Sequence, residues 1–148
     1  MEKKYAVSAC LLGIPCRWNG KTKLNKKALQ LFLKDGAVVV CPEMLAGLGM
    51  PCPACEIQGG DGHDVLAGRA KVVDERGKNY TAQYLKGARR ALKLMKQMGV
   101  NEVMLKSGSP SCGAGHIYRG DFSGRYKRGQ GVFAALLKEA GIKIKEID

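Results

Sequence analysis

The sequence predicts an α/β fold with an open, mostly parallel sheet and helices on both faces. Three observations support this. β-prone segments alternate with amphipathic helical ones. The apolar run Ala37–Val40 is typical of a parallel strand buried on both faces. The length of 148 residues suits one domain, expected over residues 1–148. Because crossovers between parallel strands are right-handed, all strand carboxyl ends should meet at one edge, as in Rossmann-like or flavodoxin-like sheets.

The regular elements are predicted from periodicity and from end signals. Strands are expected where short β-prone or apolar runs occur, at Lys4–Ala9, Ala37–Val40, Glu102–Lys106 and Ile142–Ile147. Helices are expected where apolar residues recur at helical spacing, at Lys26–Lys34, Thr81–Met98 and Val132–Ala140. Asn25 and Thr81 are the expected N-caps of the first two helices.

Three other segments lack a clear helical period. Residues 44–63 are rich in Gly, Pro and Cys and predict a long loop of functional importance. Asp64–Asp74 predicts an edge hairpin, since two apolar stretches flank Ala67-Gly68-Arg69. Gly113–Gly131 predicts a second glycine-rich loop.

The composition indicates an ordinary soluble globular protein, with 45% hydrophobic and 26% charged residues. We expect a cytoplasmic location, because no apolar run is long enough to cross a bilayer and the N-terminal residues do not resemble a signal peptide. The net charge of +12 suits an anionic partner such as RNA. The basic residues are spread along the chain, however, and a solvated surface explains them better.

The six cysteines are the main candidates for chemistry. A reducing compartment disfavours structural disulfides, so metal binding or catalysis is the leading explanation. Cys10, Cys41 and Cys112 each follow the end of a predicted strand and should converge at one sheet edge. Thiolates select zinc, copper(I) or iron–sulfur clusters, and three of them leave one metal position open to a substrate.

The remaining cysteines carry a weaker signal. Cys52 and Cys55 form a CxxC, a spacing that suits a zinc pair or a redox pair, but a second CxxC at zinc-ribbon distance is absent from the sequence. A zinc-binding structural module is therefore kept as an alternative. Cys16 is as well explained by a spare thiol as by any function, and we expect it not to be a ligand.

Other polar residues stand beside these cysteines. Glu43, two positions after Cys41, could act as a general acid or base if desolvation raises its pKa, or could instead bond a loop amide. Three serines precede Cys112 in a turn where hydroxyls often cap backbone groups, and the pattern does not choose among Ser107, Ser109 and Ser111. His63 and His116 have no evident carboxylate partner and are interpreted as exposed polar residues.

The combination of motifs resembles the bacterial family called domain of unknown function 523, over nearly the whole chain. The motifs are Val7–Gly13 with Cys16-Arg17, Cys41-Pro42-Glu43, Leu105–Gly113 and Tyr118–Gly124. One member of that family is a thiouracil desulfurase. The resemblance implies a [4Fe-4S] cluster held by Cys10, Cys41 and Cys112, with a thiolated nucleobase such as thiouracil as substrate. It further implies a non-redox hydrolysis assisted by a Lewis acid, in which Glu43 moves protons and Ser109 hydrogen-bonds.

One segment departs from the family pattern. Relatives commonly read Pro-Arg-x-Pro-Ala-Glu-Ile where this chain reads Pro51-Cys52-Pro53-Ala54-Cys55-Glu56-Ile57, so the arginine is replaced. A second alternative to the desulfurase is an RNA-binding or tRNA-sulfur-handling protein that uses the basic surface. An RNA partner is less favoured than a small-molecule nucleobase, and a membrane partner is not expected.

Overall fold

The computed structural model describes residues 5–8, 24–35, 37–48 and 54–147. Its helices and strands follow in chain order as β1 (Tyr5–Ser8), α1 (Lys26–Asp35), β2 (Val38–Val40), α2 (Pro42–Leu45), β3 (Cys55–Gln58), α3 (Gly62–Leu66), β4 (Lys71–Asp74), α4 (Thr81–Gln97), β5 (Glu102–Lys106), β6 (His116–Tyr118), β7 (Tyr126–Arg128), α5 (Val132–Glu139) and β8 (Lys143–Ile147).

The main sheet of the described residues has four strands in the order β2-β1-β5-β8. All its pairings are parallel, and Val7 of β1 lies between Val39 of β2 and Met104 of β5. The predicted α/β class and the mostly parallel sheet are confirmed. The chain leaves β1 toward β2 and later returns to β5 on the other side of β1. This reversal of strand order is where α/β sheets of this kind bind ligands, outside the strand carboxyl ends.

Helices cover both faces of this sheet, as predicted. Because successive strand residues point to opposite faces, Ala6 and Val103 contribute to one apolar cluster while Val7 and Met104 contribute to another. The first and larger cluster includes residues of α4 and α5. The second includes Ala28 of α1. The two faces are thereby packed against helices from different parts of the chain.

The helix ends test the two predicted caps. Asn25 caps α1 as expected, since its Oδ1 accepts a 3.0 Å hydrogen bond from the Ala28 N–H. The prediction for Thr81 is wrong. Tyr80 occupies the N-cap position of α4 without a side-chain capping bond. The Thr81 hydroxyl instead accepts a 2.9 Å hydrogen bond from the N–H of Val72 on β4, a tertiary partner that the local pattern does not reveal.

The three segments without a clear period contain more regular structure than predicted. The expected loop over 44–63 includes β3, and the expected hairpin over 64–74 is wrong because α3 occupies its first half. Asp61 and Asp64 form a reciprocal capping box that starts this short helix. β4 then pairs antiparallel with β3, not with a neighbouring strand of its own segment. The expected loop over 113–131 contains the antiparallel pair β6–β7.

The longest described helix, α4, has 17 residues and an amphipathic pattern. Within the described ranges, no helix has both the length and the apolar character that crossing a bilayer requires.

Candidate functional site

Two of the three predicted cysteine ligands, Cys41 and Cys112, lie in described segments that follow strands of the parallel sheet. Val40, the last residue of β2, pairs with Ser8, the last residue of β1. Cys41 follows β2 directly and is partly exposed. Cys10 lies two positions beyond β1 and falls outside the described residues. The register therefore places Cys41 at the same edge of the sheet as the carboxyl end of β1.

Cys112 lies in the loop that follows β5, the neighbour of β1 on its other side. Its side chain is buried, with 6% of the residue exposed. The hydroxyl of Ser109 accepts hydrogen bonds from the N–H groups of Ser111 at 3.0 Å and Cys112 at 3.2 Å. The N–H of Gly113 donates to the carbonyl of Ser109 at 3.0 Å. Ser109 thus fixes the backbone conformation of the loop that carries Cys112.

The same loop is held against the start of α5. The Val132 N–H donates to the Pro110 carbonyl at 2.8 Å, and the Gly131 N–H donates to the Gly113 carbonyl at 2.7 Å. A Cβ atom at Gly131 would lie 2.4 Å from the Ser111 carbonyl oxygen, which no side chain tolerates. These contacts satisfy amides at the beginning of the helix with loop carbonyls. They also leave the Cys112 loop little freedom to move.

The segment after β2 is fixed in a similar way. The N–H of Leu45 donates to the Cys41 carbonyl at 3.0 Å, which starts α2 immediately after the cysteine. A Cβ atom at Gly87 of α4 would lie 2.0 Å from the Pro42 carbonyl oxygen, so only glycine permits this close approach. Glu43 is a residue of α2, but its side chain lies outside the part of the chain that the structure describes. The backbone that carries Cys41 and Glu43 is therefore packed against α4.

The second cysteine group is arranged differently. Cys55 begins β3, pairs with Asp74 of β4 and is buried in the larger apolar cluster. β3 is not a strand of the parallel sheet. Cys52 and Cys16 lie outside the described residues. Among the residues that the structure describes, no three His, Cys, Asp or Glu side chains form a group that could hold a metal ion.

Both histidines have carboxylate partners, which the sequence did not make evident. His63 Nδ1 lies 3.0 Å from Glu139 Oε2 of α5, and its Nε2 contacts Gln130. His116 Nδ1 lies 3.8 Å from Glu146 Oε1 of β8. These partners come from elements far away in the sequence, so no local pattern could have indicated them.

Glu56 is a buried acidic residue that sequence reasoning did not single out. Only 7% of it is exposed, and its Oε1 accepts hydrogen bonds from the N–H groups of Gly120 at 2.8 Å and Phe122 at 3.2 Å. Gln58 adds a 2.9 Å hydrogen bond from its Nε2 to the Gly120 carbonyl. These side chains of β3 attach the loop between β6 and β7 to the body of the protein. The available signal was an acidic residue between two apolar neighbours, Cys55 and Ile57.

Comparison with known proteins places this geometry in a family. The model of the family described as 2-thiouracil desulfurase matches residues 6–148. An uncharacterized protein of Bacillus subtilis (strain 168), YbbK, is 46% identical over 138 residues, which are 93% of this chain and 91% of that protein.

A solved structure is similar over almost the whole length. It is that of a [4Fe-4S]-dependent thiouracil desulfidase, TudS, and it matches with a TM-score of 0.86 and 39% sequence identity over 98% of this chain and 91% of that chain. The predicted enzyme class and the predicted cluster type agree with those of this relative. The chain described here belongs to the 2-thiouracil desulfurase family.

Proposed function

We propose that this protein is a desulfurase that removes sulfur from a thiolated nucleobase such as thiouracil, with a [4Fe-4S] cluster as its cofactor. The observation that carries the proposal is the match to TudS at 39% identity over 98% of the chain, with a TM-score of 0.86. We place the reaction in the cytoplasm, where reducing conditions keep cysteine side chains as thiols.

The donor chemistry at the sheet edge fits such a cluster. Cys41 lies directly after β2, and Cys112 is held by Ser109 in the loop after β5. Cysteine thiolates are the usual ligands of [4Fe-4S] clusters. With Cys10 as the third ligand, Cys10, Cys41 and Cys112 would together hold the cluster. When bound, the cluster would supply a Lewis acid that polarises the thiocarbonyl group.

The residues of the chain would do the remaining work in a non-redox hydrolysis. Glu43 is proposed to take a proton from the attacking water and return one to the ring, because a carboxyl group can serve as general base and general acid and Glu43 follows the proposed ligand Cys41 by two positions. Ser109 is proposed to hydrogen-bond the substrate. The two amide hydrogen bonds that its hydroxyl accepts restrict the oxygen to one orientation, which a positioning group requires.

The proposal is tested by anaerobic incubation of the cluster-loaded protein with 2-thiouracil and with 4-thiouracil. We expect uracil and sulfide to appear in equal amounts. Protein from which the cluster has been removed serves as the control and should form neither product. If protein with a full cluster forms no uracil from either compound, the proposed thiouracil substrate is wrong.

A further inference from the structure

An aromatic face lies on the hairpin formed by β6 and β7. The register pairs His116 with Arg128 and Tyr118 with Tyr126. Directly opposite residues of an antiparallel pair project to the same side, so these four side chains share one face. Ile117, on the other face of β6, is 1% exposed and belongs to the larger apolar cluster. The aromatic face is thus turned away from that cluster.

The rings on this face contact one another. Tyr118 and Tyr126 are stacked, with centroids 4.6 Å apart and an interplanar angle of 27°. His116 meets Tyr126 edge to face at 4.7 Å. The hydroxyl groups of Tyr118 and Tyr126 lie 3.3 Å apart. Tyr126 is nevertheless 51% exposed, one of few large hydrophobic residues at the surface of the described chain. The face therefore offers both ring surface and paired hydroxyl groups to a ligand.

This face borders the loop of the candidate site. Gly108 forms a parallel bridge to Ile117 and directly precedes Ser109. A Cβ atom at Gly108 would lie 3.3 Å from Tyr126 Cε1 and 3.7 Å from its hydroxyl oxygen. The glycine lets the tyrosine ring approach the backbone of the loop that carries Ser109 and Cys112. The ring consequently lies against the residue that directly precedes Ser109.

We propose that Tyr118 and Tyr126 form the wall that recognises the heterocyclic ring of the substrate, an inference that rests on the proposed function. A thiolated pyrimidine is planar and aromatic, and aromatic rings attract one another in offset-stacked or edge-to-face arrangements. Its ring N–H and carbonyl groups match the tyrosine hydroxyls, each of which donates and accepts hydrogen bonds. The pair would thereby select planar heterocycles over other thiocarbonyl compounds.

The wall is tested by steady-state kinetics of Tyr126→Leu with thiouracil. Loss of the ring should raise KM about three- to tenfold, the range of one aromatic contact, while kcat changes less than about twofold because the reacting groups stay in place. Tyr126→Phe keeps the ring and should restore most of the lost affinity. Tyr80→Leu is the matched control, since this tyrosine lies at the start of α4 and contacts Lys78. Its KM should equal that of the parent.

The outcomes separate the two proposals. If the parent protein turns over thiouracil and Tyr126→Leu has the same KM as the parent, the proposed role of the tyrosine wall is wrong but the proposed function stands. A cluster-loaded parent without desulfurase activity overturns the proposed function and the wall with it. Should Tyr126→Leu fail to fold, the unmodified protein provides a second measurement. Titration with uracil should shift the ring NMR signals of Tyr118 and Tyr126 but not those of Tyr80, and unchanged signals for the first two would also overturn the wall.

Discussion

The hydroxyl oxygen of Ser109 lies 3.2 Å from the backbone nitrogen of Cys112 and accepts its hydrogen bond. It accepts a second one from Ser111 at 3.0 Å. The residue proposed to touch the substrate therefore also shapes the loop that carries a proposed ligand. Stability and activity should respond together when it is changed.

Ser109→Ala should lower the free energy of unfolding by about 1–2 kcal/mol, since two amides lose their acceptor and each such bond contributes roughly 1 kcal/mol. Urea denaturation measures this loss, and iron content and turnover should fall in the same variant. Ser123→Ala is the control, because that serine is exposed and bonds only within its own turn. Equal stability of Ser109→Ala and the parent would show that these two hydrogen bonds do not hold the loop.

The two cysteine groups should differ in the iron content of their variants when each cysteine is changed to serine. Serine is a harder and far less acidic donor, so Cys10→Ser, Cys41→Ser and Cys112→Ser should lose iron or become oxygen-labile. Cys52→Ser and Cys55→Ser should keep iron and at least part of the activity.

Cys55→Ser should in addition lower the free energy of unfolding, because a hydroxyl packs less favourably than a thiol in the larger apolar cluster. The opposite pattern, with iron lost only from Cys52→Ser and Cys55→Ser, would make the CxxC the metal site.

Glu43→Gln should keep the cluster absorbance and lose turnover by about a hundredfold or more, because shape is nearly retained while proton transfer is removed. Glu75→Gln, at an exposed position, controls for the loss of one negative charge. Parental turnover in Glu43→Gln would assign this glutamate a structural role in α2.

Glu56→Ala should destabilise the protein by about 2–4 kcal/mol, since the buried amide of Gly120 and the partly buried amide of Phe122 lose their shared acceptor. Hydrogen exchange of the Gly120 and Phe122 amides should accelerate before that of the parallel sheet, because the loop loses its attachment to β3. Glu56→Gln retains an acceptor oxygen and should lose less. If exchange at both amides is unchanged in Glu56→Ala, Glu56 does not hold the loop between β6 and β7 to β3.

Asp64 should make the stability of the protein depend on pH in the acid range. The hydrogen bond from the Asp61 amide, followed by that from Arg69, holds the pKa of Asp64 below its ordinary value of 3.8. A lowered folded-state pKa contributes stability that is present above pH 3.8 and is lost as the pH falls through the folded pKa. Asp64→Asn should therefore show a shallower fall in Tm than the parent over this acid range. If Tm falls equally with pH in Asp64→Asn and in the parent, Asp64 makes no such contribution to stability.

The sequence by itself determined the parallel sheet, its main helices and the position of Cys41 directly after a strand. The valines of β2 and the helical period of α4 are local signals, and local backbone preference was sufficient to predict both elements. The resemblance of motifs also determined the family. Among the serines before Cys112, by contrast, only the folded loop distinguishes Ser109, because its hydroxyl alone accepts the Cys112 amide in the described hydrogen bonds.

Tertiary structure decided the rest, and distance along the chain is the reason. β3, β6 and β7 are three or four residues long, too short for a clear period, and they become strands through pairing and burial. Glu56 meets Gly120 across 64 positions, and His63 meets Glu139 across 76. Such contacts depend on how the helices and hairpins pack around the sheet, which no local window of sequence contains. The aromatic face beside Gly108 exists only because that packing brings β7 against the loop after β5.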